Sequence, residues 1–154
     1  MRLAFKLGGD PLLHPVEAVI EWRTNSQVCH AELLFANGET FSTELSVGAR
    51  YTNGSQLLPG QWECVELGPL DEDAIRERCD LLRGRSYDAL GLVAYLLDCK
   101  DPDARERSFC AMLCVQILQQ AANVFRFAQP SVISPGELYL MAKAREEALL
   151  QRPA

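Results

Sequence analysis

Gln27-Val28-Cys29-His30-Ala31-Glu32-Leu33-Leu34-Phe35-Ala36-Asn37-Gly38-Glu39-Thr40-Phe41-Ser42-Thr43 is the stretch on which the fold class turns. Two short apolar runs, Gln27 to Phe35 and Glu39 to Thr43, flank Ala36-Asn37-Gly38. An Asn-Gly pair in that setting is a strong hairpin signal, because both residues tolerate positive φ. The pattern predicts two antiparallel strands. On the first, alternation of side chains places Ala31, Leu33 and Phe35 on the core face and His30 and Glu32 on the other. The same alternation makes Cys29 a sheet-core thiol.

Working outward, Arg2 to Leu7 reads as a strand stopped by Gly8-Gly9, and His14-Pro15 punctuates a loop before a helix over Val16 to Arg23. Val16, Val19 and Ile20 form the apolar face of that helix. Gly48 to Gly60 reads as a connection, and Trp62 to Leu67 as a further strand. The second half is helical. Asp71 is an N-cap, Ile75, Cys79 and Leu82 recur at helical spacing, and Gly84 stands where a C-cap belongs. Tyr87 to Leu97 is apolar nearly all round, as in a buried helix, and a charged loop from Asp98 to Arg107 follows. Ser108 precedes the apolar run Phe109 to Val124, and Ser134-Pro135-Gly136-Glu137 combines a capping box with Pro at the first helical position. Strands early and helices late predict an α+β fold in which an antiparallel sheet packs against helices. Residues 1–150 are expected to form one domain and 151–154 a frayed tail.

Composition narrows the function classes. The chain has 154 residues and 48% hydrophobic content, enough to bury a core without a metal or disulfide staple, so its six cysteines need another explanation. A net charge of −6 without a basic stripe argues against nucleic-acid binding. The stretch from Ala89 to Leu97 is about half the roughly 20 residues of a membrane span. No export signal is legible at the N-terminus, which predicts a cytoplasmic location and reduced thiols.

Only two histidines, His14 and His30, are present to partner a thiol. His14 lies in a turn-rich loop and reads as solvated. His30, held on a strand, is well placed for acid–base work, although a histidine bonded to backbone would show the same pattern. Cys110 falls in the first turn of a helix, where unpaired N–H groups and the macrodipole favour a thiolate. Cys114, one turn deeper, and Cys79, beside Ile75 and Leu82, read as packed and inert. Cys64 lies in a strand and Cys99 at a helix end. Zinc is the competing chemistry, but no Cys-x-x-Cys occurs, and only Cys29, His30 and Cys64 could complete a site with Cys110 and Cys114. No metal or cofactor is expected.

The stretch from Ile20 to Leu33, with Trp22-Arg23-Thr24 leading into Cys29-His30-Ala31-Glu32-Leu33, resembles the histidine segment of circularly permuted NlpC-like papain-fold cysteine hydrolases. Further blocks resemble that family in the same order: Asn37-Gly38 with Phe41-Ser42, Val47-Gly48-Ala49-Arg50, Trp62-Glu63-Cys64-Val65, Gly84-Arg85-Ser86-Tyr87-Asp88, Phe109-Cys110, and Ser134-Pro135-Gly136-Glu137-Leu138. The resemblance covers roughly Arg2 to Leu140 and implies a papain-like domain. It makes Cys110 the nucleophile and His30 the base, and it places Tyr87 at the border of the substrate site. The residue that orients the imidazole would be Ser42, twelve positions beyond the histidine, with Glu32 as the alternative and Glu44 more distant. Where the family often has Cys-Ser-Glu, this chain has Cys110-Ala111-Met112.

The implied activity is hydrolysis of an amide or peptide bond, such as that of a peptidoglycan stem peptide, through a thioacyl intermediate. The substrate would be a small peptide, glycopeptide or acyl compound. Relatives include cell-wall peptide hydrolases, many carried by bacteriophages, and without an export signal such an enzyme would reach its substrate by lysis or injection. Two rivals stay open: a thiol acyltransferase on the same scaffold, and a catalytically inactive binding or virion module.

Overall fold

The computed structural model describes residues 1–8, 15–44, 47–86 and 110–151. Within them the chain forms five strands, β1 (Arg2–Leu7), β2 (Val28–Leu34), β3 (Glu39–Glu44), β4 (Gly48–Asn53) and β5 (Trp62–Glu66). Four α-helices accompany them, α1 (Pro15–Thr24), α2 (Glu72–Leu82), α3 (Cys110–Ala122) and α4 (Pro135–Leu150). The strands make one antiparallel sheet in the order β4-β3-β2-β1-β5. The class is α+β. The helix expected over 87–97, the loop over 98–107, Ser108, His14, Tyr87 and Cys99 lie outside the described residues, as does the end of the tail.

Alternation accounts for one face of the sheet. Leu3 and Phe5 from β1, Ala31 and Leu33 from β2 with Phe35 just beyond it, Phe41 from β3 and Val65 from β5 are fully buried in a single core. α3 supplies the other side of that core through Leu113, Cys114, Ile117 and Leu118. α2 packs on α3 with Ile75, Cys79 and Leu82 inward. At roughly 25 cal/mol per Å² of apolar surface, each such buried Leu, Ile or Phe contributes about 1.5–3 kcal/mol before conformational entropy is charged against it.

The helix ends follow their capping residues. Asp71 accepts hydrogen bonds from Asp73 N and Ala74 N at the start of α2, and Gly84 takes φ +79 just past its end. Ser134 and Glu137 complete a reciprocal capping box on α4. Gly136, in the first turn of α4, is required there: a Cβ would fall 2.5 Å from Ser26 Oγ.

Two expectations change. Gly48 to Asn53 is a strand, not part of a connection. Its small residues conceal it in sequence, and their smallness is what the structure uses. Ala49 exchanges two 2.8 Å backbone bonds with the segment after α2, donating to Arg85 O and accepting from Gly84 N, and a Cβ on Gly48 would lie 2.5 Å from Arg85 O. On α1, Ile20 is buried but Val19 is 42% exposed, so the apolar face is narrower than its spacing suggests. The hairpin turn has only Gly38 at positive φ, and Gly38 N bonds Phe35 O. The strands thus turn through Ala36-Asn37-Gly38, as their flanking runs lead one to expect, in a three-residue loop closed by a left-handed glycine.

Candidate active site

A slip in register places the histidine. Lys6 pairs with His30 across β1–β2, but Leu7 pairs with Val28, so Cys29 is an inserted residue. An extra residue bends its strand and re-aims the neighbouring side chain. Val28 joins the core with Ala31, whereas Cys29 is buried outside the core cluster with its sulfur 3.5 Å from Lys6 O. Cys29 is thus a bulge residue beside His30, which strict alternation could not foresee.

A second irregularity makes room for the thiol. β2 and β3 pair at only two positions, Leu33 with Phe41 and Leu34 with Thr40. Beyond them the ladder opens, and the backbone of Ala31 finds other partners. Ser42 Oγ donates to Ala31 O at 2.8 Å, and the Cys114 thiol reaches the same oxygen at 3.7 Å. Cys110, the first residue of α3, comes into this opening. Its sulfur takes backbone hydrogen bonds at Ala31 and Ala111 and a side-chain hydrogen bond with His30.

The ring of His30 is held on its far side. Nε2 lies 3.2 Å from Glu32 Oε1 and 3.4 Å from Ser42 Oγ. With Nε2 engaged there, Nδ1 is the nitrogen left for the thiol. Ser42 spends its proton on Ala31 O, so it can only accept from Nε2. Glu32 is 3% exposed although it lies off the main core face, and its carboxylate is the nearer of the two acceptors. Both expected orienters therefore meet the same nitrogen, while Glu44 is bonded to Arg50 at 2.8 Å instead.

Electrostatics follow from this packing. Burial, the largest single influence on Cys110, works against its thiolate, but the charge and hydrogen bond of His30 outweigh it and hold the thiol below its usual value. For His30, burial likewise opposes the charged form. The charge and hydrogen bond of Cys110, then those of Glu32, more than reverse it and raise the imidazole from 6.5 to about 10. Both shifts act in the same sense, favouring a thiolate–imidazolium pair over the neutral one.

The spectator thiols behave otherwise. Burial raises Cys114 well above the ordinary thiol range and pushes Cys79 up to about 12. Cys64 is exposed and also raised, chiefly by partial burial of its sulfur. Among the described residues no group of three His, Cys, Asp or Glu side chains could hold a metal ion, and no helix is long and apolar enough to cross a membrane. Tyr87 falls outside the described residues.

Two residues of the site were missed by sequence reasoning. Trp62 lies edge-on to His30, ring centroids 6.0 Å apart at 83°, because Lys6 pairs with both across adjacent ladders. Arg50 stands opposite Ser42 on β4. Neither could be found without the strand register. A separate cleft of about 630 Å³ opens where Leu7 meets Val28, between Ser26 and Tyr139. Among its polar groups, Ser26 Oγ accepts from Val28 N, and Glu63 accepts from Tyr139.

A scan against protein-family models and a search of curated proteins both find no match to this chain.

Proposed function

We propose that this chain is a papain-like cysteine hydrolase of the permuted NlpC type, cleaving an amide or related acyl bond. The observation that carries the reading is the thiol of Cys110, on α3, hydrogen-bonded to a histidine whose Nε2 is held by Glu32 and Ser42. In this reading the Cys110 thiolate attacks the substrate carbonyl. The backbone N–H of Cys110 stabilises the developing oxyanion. Imidazolium His30 gives its proton to the leaving amine as the carbon–nitrogen bond breaks, leaving a thioester. His30 then takes a proton from water, hydroxide adds to the thioester, and the acid product departs with Cys110 restored as thiolate. Every role falls on a residue of this chain, and no step calls for a cofactor.

The depressed Cys110 thiol favours this reading over that of an inactive binding module, in which nothing would select for a charged pair. The test is peptide mapping after brief treatment with iodoacetamide at pH 6.5 and, on a separate unalkylated sample, intact-mass measurement during incubation with muropeptide and acyl-lipid donors. Cys110 should alkylate first, and a thioacyl adduct on it should decay in water. Alkylation of Cys110 no faster than an ordinary thiol would overturn the reading. Transfer of the acyl group to an added amine in preference to water would instead support the acyltransferase.

A further inference from the structure

Two buried polar atoms near this pair have no hydrogen-bond partner, Glu32 Oε2 and Arg50 Nε. They belong to groups of opposite charge on one face of the sheet. Arg50 pairs with Ser42 across β3–β4, Ser42 Oγ lies 3.4 Å from His30 Nε2, and Glu32, two residues after His30, shares its face. Ser42 Oγ also donates to Ala31 O, next to Glu32, so Ser42 stands between Glu32 and the strand that carries Arg50.

We propose that Arg50 is a positioning residue of the site, its guanidinium serving as the counter-charge to the Glu32 carboxylate that orients His30; this rests on the cysteine-hydrolase reading. An ionised carboxylate this deeply buried needs compensation. His30 supplies it only while protonated. Once His30 has passed its proton to the leaving group, Glu32 faces a neutral ring, and a permanent cation must keep it charged and ready to accept from Nε2. An arginine does this at any pH. Arg50 stands opposite Ser42, whose hydroxyl meets Nε2, so its action on the ring runs through Glu32.

The groups around Glu32 agree. His30 flanks it on β2, Thr40, Ser42 and Glu44 on β3, Arg50 on β4, and Cys110 and Cys114 on α3. Lys6 stands opposite His30 on β1, and Cys64 lies beyond Ala4 on β5. Burial is the largest influence and opposes ionisation of Glu32. The hydrogen bond and charge of His30, the Thr40 hydroxyl and the charge of Arg50 together hold the carboxyl below its usual range. Glu44 competes for Arg50 through Nη2 at 2.8 Å, and both side chains of that pair are partly exposed, 42% for Arg50 and 35% for Glu44. Solvent screening therefore limits the effect.

The test is a ¹³C NMR titration of the Glu32 side-chain carboxyl in the whole protein, assigned by its loss in Glu32→Gln. Arg50→Gln should raise the Glu32 midpoint by about half to one pH unit, a three- to tenfold gain in proton affinity, and Arg50→Lys should restore most of it. Glu44→Gln, which releases Arg50, should lower the midpoint. The acid limb of kcat/KM should move with the carboxyl, and in a Glu32→Gln background Arg50→Gln should move it no further. An unchanged midpoint in Arg50→Gln overturns the proposal even if the enzyme is active. A shifted midpoint in a protein without turnover leaves Arg50 as the counter-charge and removes the hydrolase reading instead. Should Arg50→Gln fail to fold, Glu44→Gln and Arg50→Lys decide: no downward shift in the first, or a loss of the low midpoint in the second, refutes the assignment.

Discussion

Replacing Glu32 with Gln keeps the shape of the side chain and an acceptor oxygen but removes its charge. Glu32 Oε1 is 3.2 Å from His30 Nε2, and the carboxylate is buried, so the bond is charge-assisted and poorly screened. Bonds of that kind contribute about 1.5–3 kcal/mol, against roughly 1 kcal/mol for a neutral one. Taking about 2 kcal/mol as the loss, kcat/KM should fall about 30-fold. Ser42→Ala removes a neutral acceptor at 3.4 Å and should lower the rate by about tenfold at most. The pH profile gives an independent sign. Glu32 is one of the charges that raise His30 to about 10, so without it the imidazolium loses its proton at lower pH and the alkaline limb moves acidward. The assay is kcat/KM against pH for wild type, Glu32→Gln and Ser42→Ala, each checked for an unchanged thermal midpoint. A loss under about threefold in Glu32→Gln, beside a larger one in Ser42→Ala, would show that the hydroxyl and not the carboxylate orients the ring.

Cys110→Ala should abolish turnover, and an NMR titration of His30 in that variant should show its midpoint falling from about 10, because the thiolate is the larger of its two supporting charges. The pair also leaves a signature in stability. The depressed Cys110 adds stability as pH rises through its native midpoint, because the unfolded thiol keeps its proton up to 9.0. The raised His30 takes stability away from 6.5 upward, so where the two windows overlap below 9.0 the slopes cancel and the contribution is flat. Above 9.0 the native state holds one more, and stability is lost as pH rises toward about 10. Urea unfolding across this range, wild type minus the Cys110→Ser/His30→Gln double variant, measures that plateau, and a steady slope through it would contradict the ion pair. Ser134→Ala should destabilise by about 1–2 kcal/mol through loss of the α4 capping box, read as a lowered denaturation midpoint.

How far the sequence could be read depended on how local each determinant was. Asp71, Ser134 and Glu137 act within three or four residues, and the helices they start lie where their spacing puts them. The apolar alternation of Ala31, Leu33 and Phe35 was equally legible. What escaped was non-local. β4 hides behind Gly48 and Ala49, whose smallness suits contacts with Gly84 and Arg85 some 36 residues later. The inserted Cys29 depends on how β1 pairs with β2, and the roles of Trp62 and Arg50 depend on register across neighbouring strands. The meeting of His30 with Cys110, 80 positions apart, could be reached only by resemblance, since no local pattern links a strand residue to a helix start so distant.

The two-rung seam between β2 and β3 divides the sheet into unequal partners. β5, β1 and β2 are joined to one another by long ladders, as are β3 and β4, but the two groups share only Leu33–Phe41 and Leu34–Thr40. The β3–β4 ribbon is thus held to the rest of the molecule less by its ladder than by Phe41 in the core and by the backbone bonds of Ala49 to Gly84 and Arg85. Its amides should exchange with deuterium as one cooperative group, ahead of those of β1. Because His30 stands on one side of the seam and Ser42 and Arg50 on the other, the fit of these supports to the ring depends on core packing at Phe41 as much as on strand pairing.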